Sequence, residues 1–172
     1  MSHELKINIL DDIKKAVMQN FFVGDDNMFG WVFQPFESTY DYKEAEKYKM
    51  EHLFYSDALR LSNPTIDVLA HLLKYVNAKK IYRVQANLIL KTENNEPFDF
   101  KIKSESQEVC NRAIYFMNSS DAYIELENGE KIPASENCLL IFPSDMKYTY
   151  FSPTNEKSQC FITMTYDKNE EE

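Results

Sequence analysis

The side chains best able to hold a metal or act as a nucleophile are few in this chain and widely spread. Its three histidines are His3, His52 and His71, and none has Asp or Glu two residues later. No H-x-D pair therefore exists to grip a divalent ion. The three cysteines, Cys110, Cys138 and Cys160, form no C-x-x-C pair, which argues against a zinc ribbon or a disulfide framework. They are expected to be three reduced thiols. His71 lies one turn from Asp67, a spacing that can bind a metal but also marks a solvated helix face. His52 stands among aromatic residues, where packing or a hydrogen bond is the simpler role. There is no glycine-rich phosphate loop, no G-x-S-x-G and no H-E-x-x-H. Carboxylates are plentiful, but no spacing pairs two of them for acid–base work. No catalytic residue is assigned.

The elements that would position any site are mostly strands. Phe and Tyr number 12 and 11 against 3 Gly, a balance that suits packed strands. Over Ile81–Leu90, Ile81, Arg83 and Gln85 alternate with Tyr82, Val84, Ala86, Leu88 and Leu90, with a slip expected near Ile89. Phe98, Phe100 and Ile102 alternate with Asp99, Lys101 and Lys103. Further strands are expected at Ala113–Met117, Ala122–Glu127, Lys131–Ala134, Cys138–Phe142, Tyr148–Phe151 and Cys160–Tyr166. Asn128-Gly129 marks a hairpin. In the first half, Phe29–Phe33 and Met50–Tyr55 read as strands. Asp11–Asn20 reads as a helix with Ile13, Ala16 and Val17 on one face. The best helix is Pro64–Asn77, capped by Asn63, with Ile66, Leu69, Ala70, Leu73 and Val76 on its apolar face. Many short strands with turn residues between them indicate an antiparallel sandwich or jelly roll.

A chain of 172 residues with 44% apolar and 27% charged residues can build one core. One domain over residues 1–172 is expected. The net charge of −9 repels a phosphate backbone, so nucleic acid is not an expected partner. No apolar run reaches membrane-spanning length, and Met1–Asp12 lacks the apolar core of a secretory signal. A cytoplasmic, non-secreted protein without a membrane partner is the expectation.

Six segments follow one another over residues 29–166: Phe29-Gly30-Trp31-Val32-Phe33, Met50-Glu51-His52-Leu53-Phe54-Tyr55, Ile81-Tyr82-Arg83-Val84-Gln85-Ala86-Asn87-Leu88, Ala113-Ile114-Tyr115-Phe116-Met117-Asn118, Asn128-Gly129 and Ile141-Phe142-Pro143-Ser144. In order and spacing they resemble the FPWYF, THxFY, RIKANL, AIYYLN, FEDGTKV and IFPS segments of phage-type, prolyl 4-hydroxylase-like 2-oxoglutarate/iron(II) oxygenases. The resemblance implies a mainly β fold with flanking helices, a double-stranded β-helix (jelly roll). Its core would span about 81–166 and an N-terminal elaboration 1–80. It also implies an H-x-D pair and a later His on iron(II), with an Arg on the last core strand holding the distal carboxylate of 2-oxoglutarate.

The matching positions depart from that pattern. The stretch from Lys91 to Ala113 contains no His; one register places Asp99 and Lys101 at the ligand pair, others Lys101 and Lys103 or Ile102 and Ser104. Tyr148 stands at the distal His and Gln159 at the Arg. Both would point into the barrel, with Tyr148, Tyr150 and Phe151 filling the former iron site. Arg83 and Asn87 match positions on the strand lining the mouth. No metal site is expected unless Asp99 and His52 form one, and neither iron(II) nor 2-oxoglutarate is expected as a cofactor. The resulting reading is a catalytically inactive oxygenase-like jelly roll, a viral (phage) binding or structural module. It would work through a protein partner or self-association, in the host cytoplasm or the virion. The alternatives are an active oxygenase with relocated ligands and a metal-free jelly roll that binds a small ligand.

Overall fold

Strand alternation divides this chain's apolar residues between two cores, and a computed structural model shows both. It describes residues 3–23, 30–35, 48–57, 61–62, 67, 69–98 and 110–169. In chain order the elements are β1 (Glu4–Ile7), α1 (Asp12–Val23), β2 (Val32–Pro35), β3 (Tyr48–Ser56), β4 (Leu61–Ser62), α2 (Ala70–Val76), β5 (Ala78–Leu90), β6 (Pro97–Phe98), β7 (Asn111–Phe116), β8 (Tyr123–Leu126), β9 (Lys131–Pro133), β10 (Cys138–Pro143), β11 (Tyr148–Phe151) and β12 (Ser158–Lys168). The larger sheet runs β1-β10-β7-β12-β5-β3-β2, with β4 paired to β3, and the smaller runs β6-β11-β8-β9. Every pairing is antiparallel. This two-sheet arrangement is a jelly roll with helices outside it.

One core lies between the sheets and includes Ile89, Phe98, Ile114, Phe116, Ile124, Leu140, Tyr150 and Phe161. The other lies where Met18 and Phe22 of α1 and Leu72 and Val76 of α2 pack on the outer face of the larger sheet, against Phe54, Val84, Ala86, Tyr115 and Ile162. The expected slip near Ile89 is absent. Arg83, Gln85, Asn87 and Ile89 face inward in unbroken alternation, while Val84 and Ala86 face the helices. The helices supply the apolar cover for the outer face, so the polar residues of β5 line the barrel instead of meeting bulk water.

The helices also differ from expectation. The expected face of α1 is the wrong one: Ile13 and Val17 are exposed, and Met18 and Phe22 are buried. The cap explains the start, since the Asp11 carboxylate accepts the Lys14 N–H at 2.9 Å. Helix α2 covers only Ala70–Val76, with Ala70 exposed, Leu72 and Val76 buried, and Asn77 ending it in the left-handed region at φ 50°. Leu69, at φ −91° and ψ 2°, already stands outside the α-helical turn. Asn63–Ile66 lies outside the described residues. At the β8–β9 hairpin Gly129 takes φ 82° and its N–H reaches the Leu126 carbonyl at 2.8 Å.

Strand β1 has no expected counterpart. It lies at the edge of the larger sheet against β10. A buried Asn137 fastens the turn behind it: its amide accepts the Leu10 N–H at 3.0 Å and donates to the Leu10 carbonyl at 2.8 Å. The Tyr115 hydroxyl donates to the same Asn137 oxygen at 3.2 Å.

Candidate functional site

The inward face of the larger sheet reads as four rows across β5 and β12, the first three of them continuing onto β7. The first is Arg83, Thr165 and Arg112; the second Gln85, Thr163 and Ile114; the third Asn87, Phe161 and Phe116. The fourth pairs Ile89 with Gln159. Chemistry grades along the barrel from two cations, through hydroxyls and amides, to a packed apolar end.

The amides of β5 form a directional chain. Arg83 donates from Nε and Nη2 to Gln85 Oε1 at 2.9 and 2.7 Å. Gln85 Nε2 donates to Asn87 Oδ1 at 2.7 Å, and Asn87 Nδ2 donates to Thr163 Oγ1 at 3.2 Å. Each link fixes the next amide's orientation, so the wall is preorganised.

At the packed end, Gln159 is fully buried and its amide is committed to the protein. Its Nε2 donates to the Asn118 carbonyl at 2.7 Å, and its Oε1 accepts from Ser120 Oγ at 2.6 Å. Those bonds use the polar atoms that would otherwise meet a ligand. Phe161 beside it stacks on Tyr150, centroids 4.7 Å apart and planes 17° from parallel. Phe151 does not join this interior, stacking instead on Tyr123 at 4.4 Å.

Tyr148 lies inside, buried, with its ring edge-to-face against Phe142 at 5.2 Å. Burial pushes its phenol up to about 12, against a weaker opposite pull from the Arg112 guanidinium. The phenol stays neutral and offers no negative charge to its neighbour. That neighbour is the residue sequence reasoning missed. Arg112 is 5% exposed, its guanidinium stands 5.4 Å from the Tyr148 ring centre and 5.9 Å from that of Phe142, and its Nε makes no hydrogen bond. The one signal in the sequence was phase, since Arg112 falls in step with the inward Ile114 and Phe116.

His52 is placed on the other side of the sheet. It pairs with Ala86, which faces the helices, its ring packs 4.7 Å from Phe54, and its Nδ1 lies 2.8 Å from the Gly30 carbonyl oxygen. His52 therefore lies on the helix side of the sheet and not in the barrel interior. Asp99 and Lys101 themselves lie outside the described residues. His71 is exposed on α2 and His3 sits 3.4 Å from Glu130. The three cysteines are free and buried. Among the described residues no cluster of His, Cys, Asp or Glu is placed to hold a metal, and no helix is long and apolar enough to cross a membrane.

No family model and no curated protein matches the chain. Solved structures do. A Pseudomonas putida prolyl-4-hydroxylase superposes with a TM-score of 0.57 at 10% identity, covering 97% of this chain and 93% of that one. The viral collagen prolyl hydroxylase of Paramecium bursaria Chlorella virus-1, solved with 2-oxoglutarate, gives 0.57 at 8% identity over 99% and 97%. HygX of Streptomyces hygroscopicus, solved with nickel and 2-oxoglutarate, gives 0.58 at 8% identity over 97% and 83%. The chain has the fold of the 2-oxoglutarate/iron(II) oxygenases.

That finding corrects one expectation. A chain without cofactors was expected, yet oxygenase-fold neighbours are solved with nickel and 2-oxoglutarate bound. The two groups fit this barrel unequally. An imidazole-held metal does not fit, because all three histidines are placed and none faces the interior. Among the described residues, the inward groups against Tyr148 are Arg112 and Phe142, cationic and aromatic, poor company for iron(II). An organic dianion fits better, since the first row carries two guanidiniums.

Proposed function

We propose that this protein is an oxygenase-fold binding protein that takes a small carboxylate ligand of the 2-oxoglutarate class into the barrel without hydroxylating a substrate. The observation that carries it is the composition of the first three inward rows, which bring together Arg83 and Arg112, Thr163 and Thr165, and the amides of Gln85 and Asn87. Hydroxylation by this fold needs nitrogen donors on the metal, and this chain's histidines stand elsewhere. Recognition of a carboxylate needs only fixed cations and oriented hydrogen-bond groups, which β5, β7 and β12 present.

The test is calorimetric titration of the purified protein with 2-oxoglutarate in the presence of a chelator, beside an assay for succinate formed from 2-oxoglutarate with iron(II) supplied. Binding that survives the chelator, with no succinate, is expected. Iron-dependent succinate formation would overturn the reading, as would failure to bind 2-oxoglutarate or succinate.

A further inference from the structure

A charge buried away from water is costly unless a counter-charge meets it. This chain has 28 Asp and Glu against 19 Lys and Arg, so counter-charges are in surplus. Exposed lysines find them: Lys14 pairs with Asp11 at 2.5 Å and Lys80 with Asp57 at 3.1 Å. Buried Arg112 pairs with no carboxylate among the described residues. Two aromatic rings flank its guanidinium, and its Nε, one half of the side-on fork that grips a carboxylate, is bare.

The row around it is the second observation. Thr165 pairs with Arg83 on one side and Arg112 on the other, so two arginines flank one hydroxyl on the inward face, with Cα atoms about 10 Å apart. Two like charges are held together at one end of the barrel with a hydrogen-bond group between them. Gln159, matched by resemblance to the ligand-binding Arg, lies at the far end of β12, roughly 20 Å of strand from Thr165. The cationic row is therefore a separate place, beside the Tyr148 position that resemblance matches to a metal-binding His.

We infer that the Arg83–Thr165–Arg112 row is the carboxylate seat of this protein, with the Arg112 guanidinium supplying the fixed positive charge beside Tyr148. This deepens the proposed function and rests on it. A carboxylate lies side-on to Arg112, accepting from Nε and one terminal nitrogen, with the Thr165 hydroxyl as a further donor. Arg83, held in place by Gln85, adds charge from the other flank.

The experiment titrates the full chain with 2-oxoglutarate, succinate and inorganic phosphate in the presence of chelator. The same is done for Arg112→Met, Arg112→Lys and Thr165→Val, with a thermal melt of each. Arg112→Met should weaken carboxylate binding at least about 30-fold while melting no lower than the parent, since it removes a buried charge that meets no carboxylate among the described residues and keeps the volume. Arg112→Lys keeps the charge without the fork and should fall between, and Thr165→Val should lose affinity modestly. Unchanged carboxylate affinity in Arg112→Met would overturn the seat while leaving the binding function standing. A parent that binds none of the three would overturn both. Phosphate bound in preference to the carboxylates would overturn the ligand class, and a much lower melt for Arg112→Met would show the arginine to be structural.

Discussion

Strand β12 enters the barrel at Gln159 and leaves it at Thr165, and its two ends are built on opposite terms. Around Gln159 the amide's atoms are bonded to Asn118 and Ser120, and Phe161 lies flat against Tyr150. Around Thr165 stand two arginines, and buried Arg112 meets no carboxylate among the described residues. The first end contributes cohesion and the second forgoes it. The packed end holds the inward rings of Phe116, Tyr150 and Phe161, and with the helix-side core it contributes cohesion that the Arg112 end supplies less of.

The sharpest way to break that comparison is Phe161→Ala. A buried ring lost from the packed end should cost about 3–5 kcal/mol in denaturant unfolding, and a cost below about 1 kcal/mol would mean that stability resides elsewhere. Next comes Gln159→Leu, which leaves Ser120 and the Asn118 carbonyl unsatisfied and should cost about 1–3 kcal/mol. Its 2-oxoglutarate affinity should stay within about twofold of the parent, because the amide is already committed to the protein. Ligand affinity that collapses while the fold survives would place the ligand at the packed end.

The smallest effect concerns the loop that closes this end. Asp121 accepts the Thr154 N–H at 2.7 Å, the Asn155 N–H at 3.1 Å and the Thr154 hydroxyl. Partial burial raises its pKa, but these hydrogen bonds outweigh that and hold the carboxyl down at about 2. A carboxyl lowered on folding stabilises the protein above its unfolded value near 4, and that contribution fades as pH falls toward 2. Asp121→Asn should lose part of the acid sensitivity between about pH 4 and 2, read from unfolding midpoints at each pH. Ligand affinity at neutral pH should not change.

The strand pattern made the second half of the fold legible: β10 and β11 lie within a residue of their expected bounds, and the Asn128-Gly129 hairpin is where its dipeptide puts it. The orientation of β5 was harder to read. Its polar residues look solvent-facing in a single strand, and only the two helices on the other face reveal that they line the barrel. Helix α1 misled for a related reason, because Ile13 and Val17 form a tidy apolar face that nothing covers. Arg112 was missed because an arginine at the start of an apolar run reads as a solvated strand end. Its burial depends on Phe142 and Tyr148, which arrive from strands much later in the chain. Tyr148 and Gln159 were singled out by resemblance, and both lie inside, but their surroundings differ. One stands beside a charge and the other is tied to a loop.

The Asn137 clasp bears on how the chain is made. Leu10 leaves the ribosome well before the amide that receives its N–H and carbonyl, which is 127 residues farther along the chain. Strand β1 has no partner until β10 exists. Met18 and Phe22 of α1 likewise wait for the sheet that will cover them. This segment is thus among the last to find its place, and until then its apolar residues are open to a chaperone or to another nascent chain.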